Sequence, residues 1–186
     1  MNPGTIAATK NINGQEIVFR YPTLSDAVAL MEYINTLSTE RTFIRFQGEQ
    51  ISLEEEEQYL KSLLKAMKEK NGGAILAWHE NTLVGMIGLR PQEKIEKHVL
   101  DFGLSVKKEY RDQGIGKALI QVMLDQVRLH LTHISIVTLS VQADNLRAVH
   151  LYQKLGFIEY GRLPKGICRN NEFEDKILMY LRLFHE

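Results

Sequence analysis

The sequence predicts an α/β fold: a mixed, mostly antiparallel, twisted central sheet of about six to seven strands flanked by helices. Three observations carry this. Apolar residues make up 44% of 186 and charged residues 25%, the balance of an ordinary globular chain. Short runs of strand formers alternate with stretches of helical period along the whole length, which implies one sheet covered by helices. Neither repeats nor a Pro/Gly/Ser-rich linker divides the chain, and at roughly 150 residues per domain the length supports a single domain over 1–186.

The elements follow in order. Residues 1–15 are polar and contain Gly and Asn, and are expected to form a loose N-terminal arm or a weak first strand. Ile17-Val18-Phe19-Arg20 is rich in strand formers. Pro22 stops it, and Thr23-Leu24-Ser25-Asp26 is a capping-box pattern ahead of Ala27, Leu30, Met31 and Ile34 at helical spacing. Residues 38–50 break that period. Ser52-Leu53-Glu54-Glu55 is a second capping box, and Glu54 to Glu57 lie where the helix dipole favours carboxylates; the acidic run is read as a solvated helix start. Tyr59, Leu60, Leu63, Leu64 and Met67 continue that helix, and Asn71-Gly72-Gly73 ends it. Residues 74–78 and 82–89 read as a hairpin turning at Glu80-Asn81. After a charged loop over 91–97, strand signals cover 98–106. A helix runs from Ile115 to about Leu131, an apolar strand covers 134–141, and a helix over 144–155 has Asn145 as its N-cap and Gly156 at C′. Two strands close the chain, from Phe157 and over 176–183.

Composition excludes several functions. Lys plus Arg and Asp plus Glu are 23 each, so there is no basic excess to neutralise phosphates and no basis for a nucleic-acid partner. The single cysteine, Cys168, forbids an intrachain disulfide and fits a reducing compartment. No stretch approaches the ~20 apolar residues of a membrane span, and 1–15 lacks the features of a signal peptide, so a cytoplasmic protein is expected. His130 and His133 are three apart without cysteine or carboxylate support, which argues against a metal site; His79, His98, His150 and His185 receive no role.

The chemistry concentrates in 98–157. Glu109-Tyr110-Arg111-Asp112-Gln113-Gly114-Ile115-Gly116-Lys117 places two glycines at the opening of a helix, directly after a strand and turn. Without Cβ atoms, backbone N–H groups can approach an anion closely, and the helix end adds unpaired donors and a positive dipole. Lys107, Lys108, Arg111 and Lys117 surround this point with cations, so the stretch predicts a phosphate or pyrophosphate site. A Walker loop requires Gly where Arg111 stands, and a dinucleotide fingerprint requires Gly where Leu119 stands; both fail.

What remains, Arg-x-x-Gly-x-Gly, resembles the acyl-CoA pyrophosphate loop of the GCN5-related N-acetyltransferase (GNAT) superfamily. Asp101-Phe102-Gly103-Leu104-Ser105-Val106 is similar to that family's fourth strand. Asn145-Leu-Arg-Ala-Val-His-Leu-Tyr152-Gln-Lys-Leu-Gly156-Phe157 is similar to its second signature. The resemblance spans roughly residues 17–183. It implies splayed fourth and fifth strands with the pantetheine arm of acetyl-CoA pairing near Val106. It also implies that the amides of Gln113, Gly114, Ile115, Gly116 and Lys117 take the pyrophosphate with Arg111 beside them, and that Asn145 reaches the arm while Tyr152 points at the sulfur.

An amine attacking a thioester must shed protons from an ammonium of pKa near ~10.4, and the oxyanion needs a donor. The resemblance makes Tyr152 the acid for the departing sulfur, although spacing alone places it in a core stripe with Ala148, Leu151 and Leu155. It offers Asp101 as a base acting through water, against a solvent-facing carboxylate. Glu40 stands where acceptor pockets are lined, against a surface glutamate. The N–H near Val106 is the oxyanion donor. The activity implied is acetyl transfer to a primary amine, most simply a small molecule. A protein N-terminus or lysine is an alternative acceptor, requiring an open groove; a non-catalytic acyl-CoA-binding module is another reading. Exposed strand edges are compatible with a homodimer.

Overall fold

The computed structural model describes residues 1–183. Its strands are β1 (Ile6–Ile12), β2 (Gln15–Arg20), β3 (Gly73–His79), β4 (Thr82–Pro91), β5 (Val99–Val106), β6 (Ile136–Gln142), β7 (Ile158–Arg169) and β8 (Glu172–Arg182). The helices are α1 (Ala27–Thr39), α2 (Leu53–Lys68), α3 (Ile115–His130) and α4 (Leu146–Lys154). The eight strands follow the order β1-β2-β3-β4-β5-β6-β8-β7. The chain forms two compact units, one of residues 1–90 and 103–132, the other of 91–102 and the chain from 133 onward. Strand β5 contributes to both.

The strand count exceeds the expected six to seven because the N-terminal arm is not loose. Residues 6–12 pair antiparallel with β2, from Ile6 opposite Arg20 to Ile12 opposite Gln15. The turn between them is Asn13-Gly14, both with positive φ (52° and 83°). That is the two-residue hairpin geometry that Asn-Gly favours, because its twist matches the flanking strands.

In the first unit, α1 and α2 cover one face of β3 and β4. Leu30, Tyr33, Leu37, Leu60, Leu63, Leu76 and Met86 are buried together there. Both expected capping boxes form. Thr23 N–H donates to Asp26 Oδ2 at 2.7 Å, although Leu24–Asp26 is a 3-10 turn and α1 proper starts at Ala27. At α2, Glu55 N–H donates to Ser52 Oγ and Ser52 N–H to Glu55 Oε2.

Asp26 is buried and accepts two bonds from Arg20, at 2.8 and 2.6 Å. Burial by itself pushes its pKa up, but the Arg20 guanidinium and the Thr23 amide outweigh that, and the net shift is downward. The folded state therefore prefers the charged carboxylate. Its stabilisation is present above the unfolded pKa of ~3.9 and is lost as pH falls through the lower folded value. Asp26→Asn should cost about 2 kcal/mol at pH 7, less than the ~3–5 of a fully buried pair because the Arg20 end meets solvent. Urea denaturation at pH 7 and pH 3 checks this: the gap between the two proteins should shrink at the lower pH.

In the second unit, β6 pairs antiparallel with β8 from Ile136–Arg182 to Gln142–Lys176, and β8 carries β7. The parallel pairing of β5 with β6 covers Val99–Ile136, Leu100–Val137 and Asp101–Thr138. Helix α4 ends where the sequence indicates. Gly156 has φ 89°, its N–H donates to Gln153 O, and Phe157 N–H donates back to Tyr152 O at 3.0 Å. This is a Schellman closure, and the Phe157 ring meets the Tyr152 ring at 5.9 Å between centroids, the apolar contact that accompanies the motif.

Candidate active site

The first unit contains the glycine loop. Gly114 caps α3 in the left-handed region, with φ 94° and ψ −3°. A Cβ there meets only Ile12 Cγ2, at 3.9 Å, so the position is conformationally demanding but spatially open. The first intrahelical bond is Ala118 N–H to Gly114 O. The amides of Ile115, Gly116 and Lys117 thus have no acceptor within the helix and face outward at its positive end. The loop is braced from behind: Asn13 Nδ2 donates to Gln113 O, and Gln113 Nε2 donates to Glu109 O. These residues fit a pyrophosphate, offering donors, no obstructing Cβ at Gly114 and an exposed Lys117.

Arg111 is placed differently from expectation. The sequence reading gives it to phosphate and gives Glu40 to an acceptor amine; the structure pairs them with each other. Arg111 Nη2 lies 2.7 Å from Glu40 Oε2, and Arg111 Nε donates to Val106 O at 2.9 Å. The guanidinium thus ties the end of β5 to the end of α1. Beneath it the Tyr33 and Ser105 hydroxyls share a 3.0 Å hydrogen bond. Burial drives the Tyr33 phenol pKa well up, the Ser105 bond and the Arg111 charge opposing this. Val106 itself is half-buried, its carbonyl held by Arg111.

Sequence reasoning misses one carboxylate. The run Glu54 to Glu57 is not uniformly a solvated helix start: Glu56 is 3% exposed. Its Oε1 is buried and has no hydrogen-bond partner among the described residues, and desolvation raises its pKa to about 7. The signal was present, since Glu56, Leu60, Leu63 and Met67 form a single helical stripe, all buried.

The second unit contains Asp101, Asn145 and Tyr152. Asn145 Oδ1 accepts from Ala148 N–H at 3.2 Å, capping α4 and leaving its Nδ2 as a donor. Tyr152 is 7% exposed and stacks edge-on with Phe102 and Phe157. Burial raises its phenol pKa to about 12. Its ring is therefore a core aromatic, as spacing predicts, while its hydroxyl stays protonated at neutral pH. Asp101 is half-buried on β5. His150 and Cys168 are exposed, and His185 lies outside the described residues.

The model of the Acetyltransferase (GNAT) family matches residues 33–157. The chain belongs to that family. Among solved structures, this GNAT chain is similar to a GNAT-family acetyltransferase from Streptococcus pneumoniae, with 26% identity and TM-score 0.82 over 89% of this chain and 99% of that one. It shares the fold of a RimL ribosomal L7/L12 α-N-protein acetyltransferase in complex with coenzyme A, with 14% identity and TM-score 0.81 over 96% of this chain and 98% of that one. Among curated proteins, it is 29% identical to the L-amino acid N-acetyltransferase AaaT of Escherichia coli K12 over 56% of this chain and 65% of that protein. It is 28% identical to a spermidine N(1)-acetyltransferase of Vibrio cholerae over 55% of this chain and 58% of that protein. The chain thus spans between about two fifths and two thirds of the length of these and other curated relatives it matches. Among the described residues, no helix is long and apolar enough to cross a membrane.

Proposed function

We propose that this chain is an acetyl-CoA-dependent N-acetyltransferase that moves the acetyl group to a primary amine of a small molecule by direct attack on the thioester. One observation carries the reading: three outward amides at the start of α3, behind a glycine at φ 94° that leaves them uncovered. That arrangement suits a diphosphate, and family membership makes coenzyme A its bearer. Acetyl-CoA supplies an electrophilic thioester carbon; the chain's residues bind, orient and move protons.

In this reading Gln113, Gly114, Ile115, Gly116 and Lys117 hold the pyrophosphate, and Asn145 Nδ2 donates to the pantetheine arm. Arg111 is a bracket: by holding Val106 O and Glu40 it fixes the backbone where the arm pairs and where the N–H near Val106 meets the oxyanion. Asp101 takes a proton through water. Tyr152, neutral because burial raises its pKa to about 12, gives a proton to the departing sulfur. Relatives that acetylate L-amino acids and spermidine support a small amine as acceptor.

Thiol release from acetyl-CoA across amino acids, polyamines, simple alkylamines and peptides tests this. Release with small amines is the expected result. Preference for peptides would move the acceptor to protein termini. Coenzyme A binding without release from any amine would leave a binding module.

A further inference from the structure

Two protons must leave an alkylammonium on its way to an amide: one before the nitrogen can attack, one after the C–N bond forms. A water-relayed Asp101 provides for the second. On the reading above, the first still needs an acceptor, and the first unit contains a carboxylate that nothing else uses.

The geometry starts from two glycines. Lys107 N–H donates to Val84 O, and Gln92 N–H donates to Val99 O. These two bonds fix one antiparallel register between β4 and β5, in which Gly88 lies opposite Gly103. Neither presents a side chain, so this patch of sheet is a bare floor. A Cβ on Gly88 would stand 3.5 Å from the Tyr59 hydroxyl, and one on Gly103 would stand 3.7 Å from an Arg90 guanidinium nitrogen. Gly103 is exposed and Gly88 half-buried, and Tyr59, Met86 and Arg90 stand at contact distance around the two positions.

Glu56 belongs to the same wall. It precedes Tyr59 by three residues on α2, so the two side chains are neighbours on one helix face. The Tyr59 pKa is raised by desolvation and then by the Glu56 charge, with Arg90 opposing, so the three groups share one electrostatic neighbourhood. Ser52 caps the helix, and the dipole at the first turn favours a carboxylate at Glu56. Desolvation nevertheless wins, and the pKa rises to about 7. A buried carboxylate oxygen without a partner is costly, and a proton or a cation relieves it.

We propose that the Gly88–Gly103 floor receives the acceptor amine and that Glu56 takes the first proton from its ammonium group. The ammonium N–H bond breaks and Glu56 becomes a carboxylic acid. The neutral nitrogen forms the C–N bond to the acetyl carbon, and the C–S bond breaks with its electron pair on sulfur, which takes a proton from Tyr152. The second nitrogen proton leaves through water to Asp101. Restoring Tyr152, Asp101 and Glu56 releases one net proton to solvent. A pKa near neutrality suits this task, since such a group accepts a proton and gives it up again at the working pH. The acceptor class follows: a compact amine that arrives protonated, because Tyr59, Met86 and Arg90 bound the space over the two glycines and the shielded carboxylate gains most from a cation.

The test compares methylamine with hydroxylamine, nucleophiles of similar size of which the second is largely unprotonated at neutral pH. Glu56→Gln should lower kcat/KM for methylamine about 100-fold, the low end of general-base effects, and leave hydroxylamine within about 3-fold. Acetyl-CoA affinity by calorimetry should be unchanged, and Glu56→Asp should recover part of the methylamine loss. Equal losses with both nucleophiles would make Glu56 a packing residue, and no loss with either would remove it from the reaction; both overturn the proposal. Should the wild-type protein bind acetyl-CoA but acetylate neither nucleophile, the acetyltransfer reading fails. The ammonium site is then judged by NMR: a methylammonium-dependent shift of the Glu56 side-chain carboxyl ¹³C resonance, absent in Glu56→Gln, supports it, and no shift overturns it.

Discussion

Gly114→Glu is expected to abolish acetyl-CoA binding in a calorimetric titration, a loss of at least ~100-fold, or about 2.7 kcal/mol. Two effects add. Gly114 has φ 94°, where an L-residue is disfavoured by roughly 1–2 kcal/mol. The new carboxylate would also compete with the diphosphate for the amides of Ile115, Gly116 and Lys117. Gly114→Ala separates the terms. Its Cβ meets only Ile12 Cγ2 at 3.9 Å, so it brings strain without a clash or a charge, and a loss of about 10-fold should suffice. The excess loss in the Glu variant should shrink as salt is added, because it is electrostatic. Unchanged affinity in Gly114→Glu would remove this loop from the proposed function.

The loop was legible in the sequence for a physical reason. Backbone demands such as φ > 0, an open helix end and a Schellman closure restrict residue type at fixed spacing, so Gly114, Asn145 and Gly156 announce themselves. The caps at Thr23 and Ser52 are local in the same sense. The hairpin of β1 was legible too, in Asn13-Gly14, but the polar composition of residues 1–15 masked it. Other features depend on tertiary partners. Nothing near Arg111 in sequence marks Glu40, 71 positions away, as its counter-ion. Nothing in four consecutive glutamates separates Glu56 from its neighbours until the stripe of Leu60, Leu63 and Met67 is followed backward. Gly88 and Gly103 read as ordinary strand glycines until the strand register sets them opposite each other.

Tyr152→Phe is the sharper test of chemistry as opposed to packing. The ring lies in an aromatic cluster with Phe102 and Phe157, and phenylalanine preserves every one of those contacts. Desolvation is the cause of the raised pKa of the hydroxyl, and none of the described residues hydrogen-bonds to it, so removing it leaves none of them unpaired. Melting temperature and acetyl-CoA affinity should therefore stay close to wild type. Turnover should fall about 10- to 100-fold, below the ~10²–10⁴ available to a general acid, because a thiolate is already a fair leaving group. With the pKa at about 12, the phenol stays protonated throughout the neutral range, so the ratio of the two kcat values should hold constant from pH 6 to pH 9. A thioester with a more acidic thiol needs less assistance, and the ratio should narrow with such a donor. Equal turnover by the two proteins would leave Tyr152 a core residue and assign the sulfur's proton to water.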